Sequence, residues 1–141
     1  MYIQQLSVFL EDRSGRLTEL TRILAAHDIN ITALNLAETT DCGIVRMVAG
    51  KPQLARKVLE EAGFSIGLTG VVCVNIPDEP GSLYRILNML TEENINIDYM
   101  YAFSNRDVAL AVIRAEDMAG VTEALEKRGV KLLSQHDIYQ L

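Results

Sequence analysis

Residues sixty-six positions apart repeat one another along this chain, and that internal period limits its fold more than any other feature does. The matched pairs are Val8/Val74, Asp12/Asp78, Gly15/Gly81, Leu17/Leu83, Leu24/Leu90, Ile29/Ile95, Asn30/Asn96, Ile31/Ile97, Leu59/Leu125, Glu60/Glu126 and Gly63/Gly129. A chain of 141 residues could form one domain, but the repeat divides it into two of about seventy residues, 1–69 and 70–141. Domains that small bury only about 60% of the surface their unfolded chains expose, so each copy needs support from the other or from a second chain.

The second copy shows the unit most clearly. Val72, Val74 and Ile76 alternate as a strand, Pro77-Asp78-Glu79-Pro80-Gly81 breaks it, and Leu83, Ile86, Leu87 and Leu90 keep helical spacing up to Asn94-Ile95-Asn96-Ile97-Asp98. In the first copy Leu6, Val8 and Leu10 form the strand, Ser14-Gly15 supplies the helix start, and the helix runs to about His27. Strands are predicted at 2–10, 31–39, 44–49 and 64–68, then at 71–76, 96–104, 108–114 and 130–138. Helices that begin at Pro52 and Glu116 complete the copies, with Gly63 stopping the first of them. Asp41-Cys42-Gly43 and Asn105-Arg106-Asp107 read as hairpin turns, and Thr69-Gly70 as a brief linker. The order is βαββαβ in each half. Two right-handed crossovers around a hairpin make an α+β fold, a four-stranded antiparallel sheet with both helices on one face, the ferredoxin-like arrangement.

Strand alternation also says what lies on the other face. With Leu34, Leu36, Met100 and Ala102 toward the helices, Tyr99, Tyr101 and Phe103 point away from them, where the first copy has Ala33, Asn35 and Ala37. Three aromatics on an uncovered sheet face make a contact surface suited to a homodimer. The alternative is that the faces are reversed and the rings are core.

Composition narrows the partners. A net charge of −6, with thirteen scattered Lys and Arg, offers no basic track for a phosphate backbone, so nucleic acid is not expected. No apolar run approaches the roughly twenty residues that span a bilayer, and the N-terminal strand has no basic lead, which points to a soluble cytoplasmic protein without membrane contact. Cys42 and Cys73 are isolated, so neither a disulfide framework nor a metal site can be argued. His27 and His136 are lone histidines, and no triad order, phosphate loop or metal-spaced cluster accompanies them. An acylphosphatase-like activity would need a basic loop after the first strand, where the second copy has Pro77-Asp78-Glu79-Pro80. An RNA-reading sheet would set Lys and Arg beside the aromatics, and here the charge is negative.

The strand-to-helix loop carries the functional signal. Gly15 and Gly81 remove a side chain where the backbone turns into a helix, leaving amide N–H groups at its positive end, where a carboxylate fits. Asp12 and Asp78 occupy matched positions and could accept hydrogen bonds from an ammonium group, with Asn30 and Asn96 beside the same loop. The competing reading is that the aspartates only tie down the turn and the asparagines only cap the exit from the helix.

Ile76-Pro77-Asp78-Glu79-Pro80-Gly81-Ser82-Leu83, a helix, and Glu93-Asn94-Ile95-Asn96-Ile97 in a βαββαβ unit resemble the ACT domain of amino-acid-metabolism regulators. The first copy, Leu10-Glu11-Asp12-Arg13-Ser14-Gly15-Arg16-Leu17 with Asp28-Ile29-Asn30-Ile31, is similar, with Ser14 in place of the usual proline. The resemblance implies two ACT repeats with their sheets packed side by side and helices on one face. It also implies an amino-acid effector held at the domain interface, between the loop of one domain and the second-strand start of its neighbour. Carried onto this sequence, the loop positions are Asp12, Arg13, Ser14, Gly15, Arg16 and Leu17, and Asp78, Glu79, Pro80, Gly81, Ser82 and Leu83. The facing positions are Asn30, Ile31, Asn96 and Ile97. The expectation is a non-catalytic allosteric regulator that binds a free amino acid, with no cofactor and no metal. The alternative is a ligand-free regulatory or assembly subunit docking on an amino-acid biosynthetic enzyme.

Overall fold

The structure, a computed structural model, describes residues 2–11, 14–38, 42–105 and 108–139. Asp12, Arg13, Asp41, Arg106 and Asp107, named above, lie outside the described residues. The chain runs β1 (Ile3–Glu11), α1 (Arg16–Ala26), β2 (Ile31–Glu38), β3 (Cys42–Ala49), α2 (Pro52–Glu61), β4 (Ser65–Pro77), α3 (Ser82–Glu92), β5 (Ile97–Asn105), β6 (Val108–Ala115), α4 (Met118–Glu126) and α5 (Gln135–Tyr139). It divides into two compact units, Gln4–Thr69 joined by Ile138 and Tyr139, and Gly70–Asp137 joined by Tyr2 and Ile3. These are called the first and second repeat below.

Strand order is β2-β3-β1-β4 in the first repeat and β4-β6-β5 in the second. The pairings β1/β3, β2/β3, β4/β6 and β5/β6 are antiparallel. The α+β ferredoxin-like reading therefore holds. The period of the sequence reappears in the backbone: Gly15 and Gly81 both take φ 89°, Asp28 and Asn94 take 55° and 57°, and Gly63 and Gly129 take 91° and 80°. Matched residues stand at matched left-handed turns because the same chain reversals recur in each copy.

Each repeat buries the helix-side face of its sheet. Leu6, Val8, Leu10, Val45 and Met47 pack with Leu20, Ile23 and Leu24 of α1 and with Ala55, Val58 and Leu59 of α2. Val72, Val74, Ile76, Ala111 and Ile113 do the same with Ile86 and Leu90 of α3 and with Val121, Ala124 and Leu125 of α4. Each fully buried leucine or isoleucine contributes about 1.5–3 kcal/mol from removal of apolar surface from water. No helix among the described residues is long and apolar enough to cross a membrane.

Two expected elements differ. The last strand of the first copy and the first strand of the second are one strand, β4, thirteen residues long. Thr69-Gly70 is therefore not a linker, since neither Gly67 nor Gly70 adopts the positive φ that would turn the chain. Gly70 instead relieves crowding, because a Cβ there would stand a tight 3.2 Å from the Tyr2 Cβ.

The expected strand at 130–138 is reduced to a single bridge, Leu132 with Val74, supported by the Leu133 N–H donating to the Cys73 carbonyl at 2.8 Å. Beyond it Ser134 and Asp137 cap α5 reciprocally. The Ser134 N–H donates to the Asp137 carboxylate at 3.0 Å and the Asp137 N–H donates to the Ser134 hydroxyl at 3.1 Å. Ser134-Gln135-His136-Asp137 is a capping-box pattern, and local capping of this kind overrides the apolar alternation that suggested a strand. Hydrogen bonds from the Ser134 amide and then its hydroxyl hold the Asp137 carboxyl below its ordinary range.

The side chains lie on the expected faces of the sheets, with different exposures. Leu34 and Leu36 lie opposite the core residues Met47 and Val45, so they are on the helix side. Their exposures of 39% and 51% follow from the edge position of β2. Met100 and Ala102 pair with Ile113 and Ala111 of the second core in the same way. Tyr101, on the opposite face, is only 9% exposed, and Tyr99 and Phe103 are half-buried. Across the strands, Tyr101 pairs with Val112 and Val112 with Cys73, while Phe103 pairs with Leu110. All three partners are buried within the chain. The expectation of an uncovered aromatic stripe is therefore corrected, since alternation assigns a side chain to a face but does not say what covers that face.

Candidate functional site

In each repeat the first strand ends in a turn whose last residue is a glycine at φ 89°, and the helix begins at once. A side chain at this φ would be strained, so the two glycines are set by backbone geometry. The first intrahelical bonds are Glu19 N–H to the Gly15 carbonyl at 2.9 Å and Arg85 N–H to the Gly81 carbonyl at 3.0 Å. A helix that starts this way leaves its first amides without intrahelical acceptors. The two turns then diverge.

In the second repeat the turn borders a crevice of about 250 Å³ lined by Pro77, Asp78, Glu79, Ser82, Leu83 and Phe103, with further residues of β5 and β6. Asp78 accepts a hydrogen bond from the Ser104 hydroxyl at 3.2 Å, which ties the turn to the end of β5. Ser82 is buried, and its amide donates to the Glu79 carbonyl at 3.3 Å. Its hydroxyl accepts from Arg85 at 3.1 Å, and Arg85 also reaches the Glu79 carboxylate at 3.4 Å. The chain's own groups thus engage most of the polar atoms here. Pro80 is exposed on the outside of the turn.

In the first repeat Ser14 and Gly15 are exposed, and Leu17 packs against the core. A crevice of about 320 Å³ is lined by Phe9, Leu10, Glu11, Arg16, Cys42, Gly63 and Ser65. Arg16, at the position matched by Ser82, lies over the Phe64 ring at 4.1 Å from its centroid. Its side chain is 15% exposed, and its Nη2 stands 3.9 Å from the Glu11 carboxylate.

The facing asparagines do not join these turns within a repeat. Asn30 and Asn96 follow the far ends of α1 and α3, each eleven residues long, or about 16 Å at the usual rise. Asn96 borders a separate crevice with Glu93, Asn94, Asp98, Glu116 and Asp117, where Lys127 and Arg128 hold the Glu93 carboxyl below its ordinary range. Asn30 is exposed, and its carbonyl accepts the Gly50 N–H at 2.9 Å. Ile31 and Ile97 pack partly against the two cores. The placement of these asparagines beside the loop of their own repeat is therefore corrected. Because β4 and β5 both run antiparallel to β6, they are parallel to each other. The end of β5, not its start, returns to the turn. That parity was available from the βαβ order and would have found Phe103 and Ser104. Cys42 and Ser65, which line the first crevice, and Phe64, which lies against Arg16, had no sequence signal, since strand and helix packing alone brings them there.

The family model of the ACT domain pair matches residues 1–141. The chain belongs to the ACT domain pair family. Among solved structures, this ACT domain pair is similar to protein BT0572 from Bacteroides thetaiotaomicron, with 43% identity and a TM-score of 0.95, covering 100% of this chain and 98% of that one. It shares its fold with the regulatory subunit of aspartate kinase from Thermus thermophilus in ligand-free form, at 16% identity and a TM-score of 0.68, covering 89% of this chain and 92% of that one. The regulatory subunit of aspartate kinase from Thermus flavus is similar at 16% identity and a TM-score of 0.62, covering 88% and 90%. No curated protein matches this sequence.

The two cysteines of this ACT domain pair provide a probe of the first crevice. Cys42 lines it and is half-buried, whereas Cys73 is buried and its thiol is pushed up to about 12 by that burial. At pH 8 only about one Cys73 in ten thousand is thiolate, the form that reacts. Maleimide labelling followed by intact-mass measurement is expected to add one label per native chain, at Cys42, and a second only in urea. Equal labelling of both thiols in the native protein would contradict the buried position of Cys73.

Proposed function

We propose that this protein is a non-catalytic cytoplasmic regulator that senses a free amino acid at its strand-to-helix turns. The observation that carries the reading is the duplicated left-handed glycine, Gly15 and Gly81, each followed by a residue, Arg16 or Ser82, that lines a crevice. Helix-start amides favour a carboxylate, and the acidic residues of the turns favour an ammonium group, which together describe a zwitterion. The positions assigned to this role are residues 12–17 and 78–83, with Asn30, Ile31, Asn96 and Ile97 as the facing set. Membership of the ACT family supports a regulatory role, as does the fold shared with the regulatory subunits of aspartate kinase from Thermus thermophilus and Thermus flavus.

The test is a thermal-shift screen against the twenty proteinogenic amino acids. A ligand at one hundred times its dissociation constant stabilises the folded state by about 2.7 kcal/mol, so one or a few members should raise the melting temperature by several degrees. Flat curves throughout would favour a second reading, a ligand-free subunit that assembles as a homodimer or docks on a biosynthetic enzyme. That reading draws on Leu83 and Tyr84, which are 40% and 70% exposed at the start of α3.

A further inference from the structure

The two repeats differ in what they leave unspent. In the second, Arg85 is engaged by Glu79 and Ser82, and the crevice beside it is lined by Asp78 and Glu79. In the first, Arg16 lines the crevice and makes no hydrogen bond among the described residues. Its Nε is buried without a partner, and the nearest carboxylate oxygen, on Glu11, is 3.9 Å away, beyond hydrogen-bonding distance. A largely buried guanidinium normally spends its donors on carboxylates or carbonyls, because a desolvated charge without such partners is costly. The Phe64 ring, itself 4% exposed, fixes the plane of the group without using any donor. Here a positive charge is held in place beside an open volume, its Nε buried and its donors without an acceptor among the described residues.

We infer that the crevice of the first repeat is a carboxylate-binding subsite read by Arg16, and that the second repeat has no equivalent. The inference rests on the amino-acid-sensing reading for the identity of the molecule bound, but not for the charge of the group that enters. The bound group is an anion, and it takes the guanidinium donors in the forked geometry that arginine offers a carboxylate. Cys42 and Ser65 border the same volume. Glu11, 67% exposed and 3.9 Å from Arg16, is the competing carboxylate, which an incoming anion displaces as the arginine's counter-charge. The stoichiometry is then one carboxylate per chain, although the turn is duplicated.

The test combines a direct observation on the native protein with two opposed substitutions. In an NMR titration with succinate and with each amino acid that raises the melting temperature, the Arg16 Nε–Hε resonance is expected to shift and saturate at one equivalent per chain. Arg16→Gln is expected to weaken binding about ten- to hundred-fold, the usual loss when a charge-assisted hydrogen bond is removed. Glu11→Gln, which removes the competitor, is expected to tighten it. Arg56→Gln removes a positive charge from the exposed Arg56–Glu60 pair on α2 and should leave binding unchanged. The decarboxylated amine of any amino acid that binds should not bind. Should Arg16→Gln fail to fold, the titration of the native chain and the gain in Glu11→Gln still decide the matter.

Amino-acid binding that ignores Arg16→Gln, leaves the Nε–Hε resonance unmoved and keeps its affinity in the decarboxylated amine overturns the subsite while sparing the sensor. Succinate binding that requires Arg16, with no amino acid bound, keeps the subsite and overturns the sensor. No shift with any carboxylate overturns the subsite.

Discussion

Leu24→Ala and Leu90→Ala are each expected to destabilise the protein by about 3 kcal/mol, within the usual 2–5 kcal/mol for a buried leucine. The two residues are a matched pair of the repeat, on α1 and α3, and are 0% and 1% exposed. Each fills the gap between a helix and its sheet, with Leu6, Val8 and Val45 in the first core and Val72, Val74 and Ala111 in the second. The carbonyls of both leucines also accept the N–H of the isoleucine that ends the following turn, Ile29 at 2.9 Å and Ile95 at 3.0 Å. Truncation leaves that backbone contact intact and removes only side-chain packing, so the loss reports the core alone. In a chain of this size it corresponds to a fall of about 10 °C in melting temperature, followed by circular dichroism. Leu24→Met, which conserves volume, should cost less than about 1.5 kcal/mol. A loss below about 1 kcal/mol at either alanine would mean that the site is not the packed core position described.

Tyr101→Asp is expected to be at least as damaging. It removes a large ring from a row of buried side chains, Tyr101, Val112 and Cys73, that crosses β5, β6 and β4. In its place stands a carboxylate among apolar neighbours, whose desolvation costs several kcal/mol unless the structure opens to water. The expected result is a chain that is largely insoluble, or that melts at a much lower temperature whatever its concentration. Tyr101→Phe should remain folded. A stable dimer split by the substitution would behave otherwise: the variant would keep its fold at half the mass on a sizing column, and only the unsubstituted dimer would have a melting temperature that depends on concentration. A folded Tyr101→Asp protein of reduced mass would restore the aromatic stripe as an interface and refute its burial within the chain.

Much of the fold is a consequence of local sequence. The helices appear where apolar residues recur at helical spacing, and the left-handed turns fall at Gly15, Gly81, Gly63 and Gly129, where the absence of a Cβ removes the steric penalty. Whether a side chain faces the helices follows from strand alternation alone, as Leu34, Leu36 and Met100 illustrate. The candidate turns belong to this legible part, because a strand, a glycine and a helix start are all short-range signals. The missed elements are those in which one short-range signal outweighed another. Ser134 and Asp137 cap a helix where alternation suggested a strand, and Gly70 sits in an extended strand where composition suggested a linker.

The duplicated order of strands and helices, the face each side chain takes and the places where the backbone turns were determined by the sequence, since each depends on periodicity or on the steric demands of a few adjacent residues. Only the tertiary structure decided that Arg16 stacks on Phe64 with its Nε unpartnered while Arg85 is engaged by Glu79 and Ser82, and that Tyr101 is buried. Those outcomes depend on which distant segments come to rest beside one another, and spacing along a chain carries no record of how two separated side chains share the same small volume.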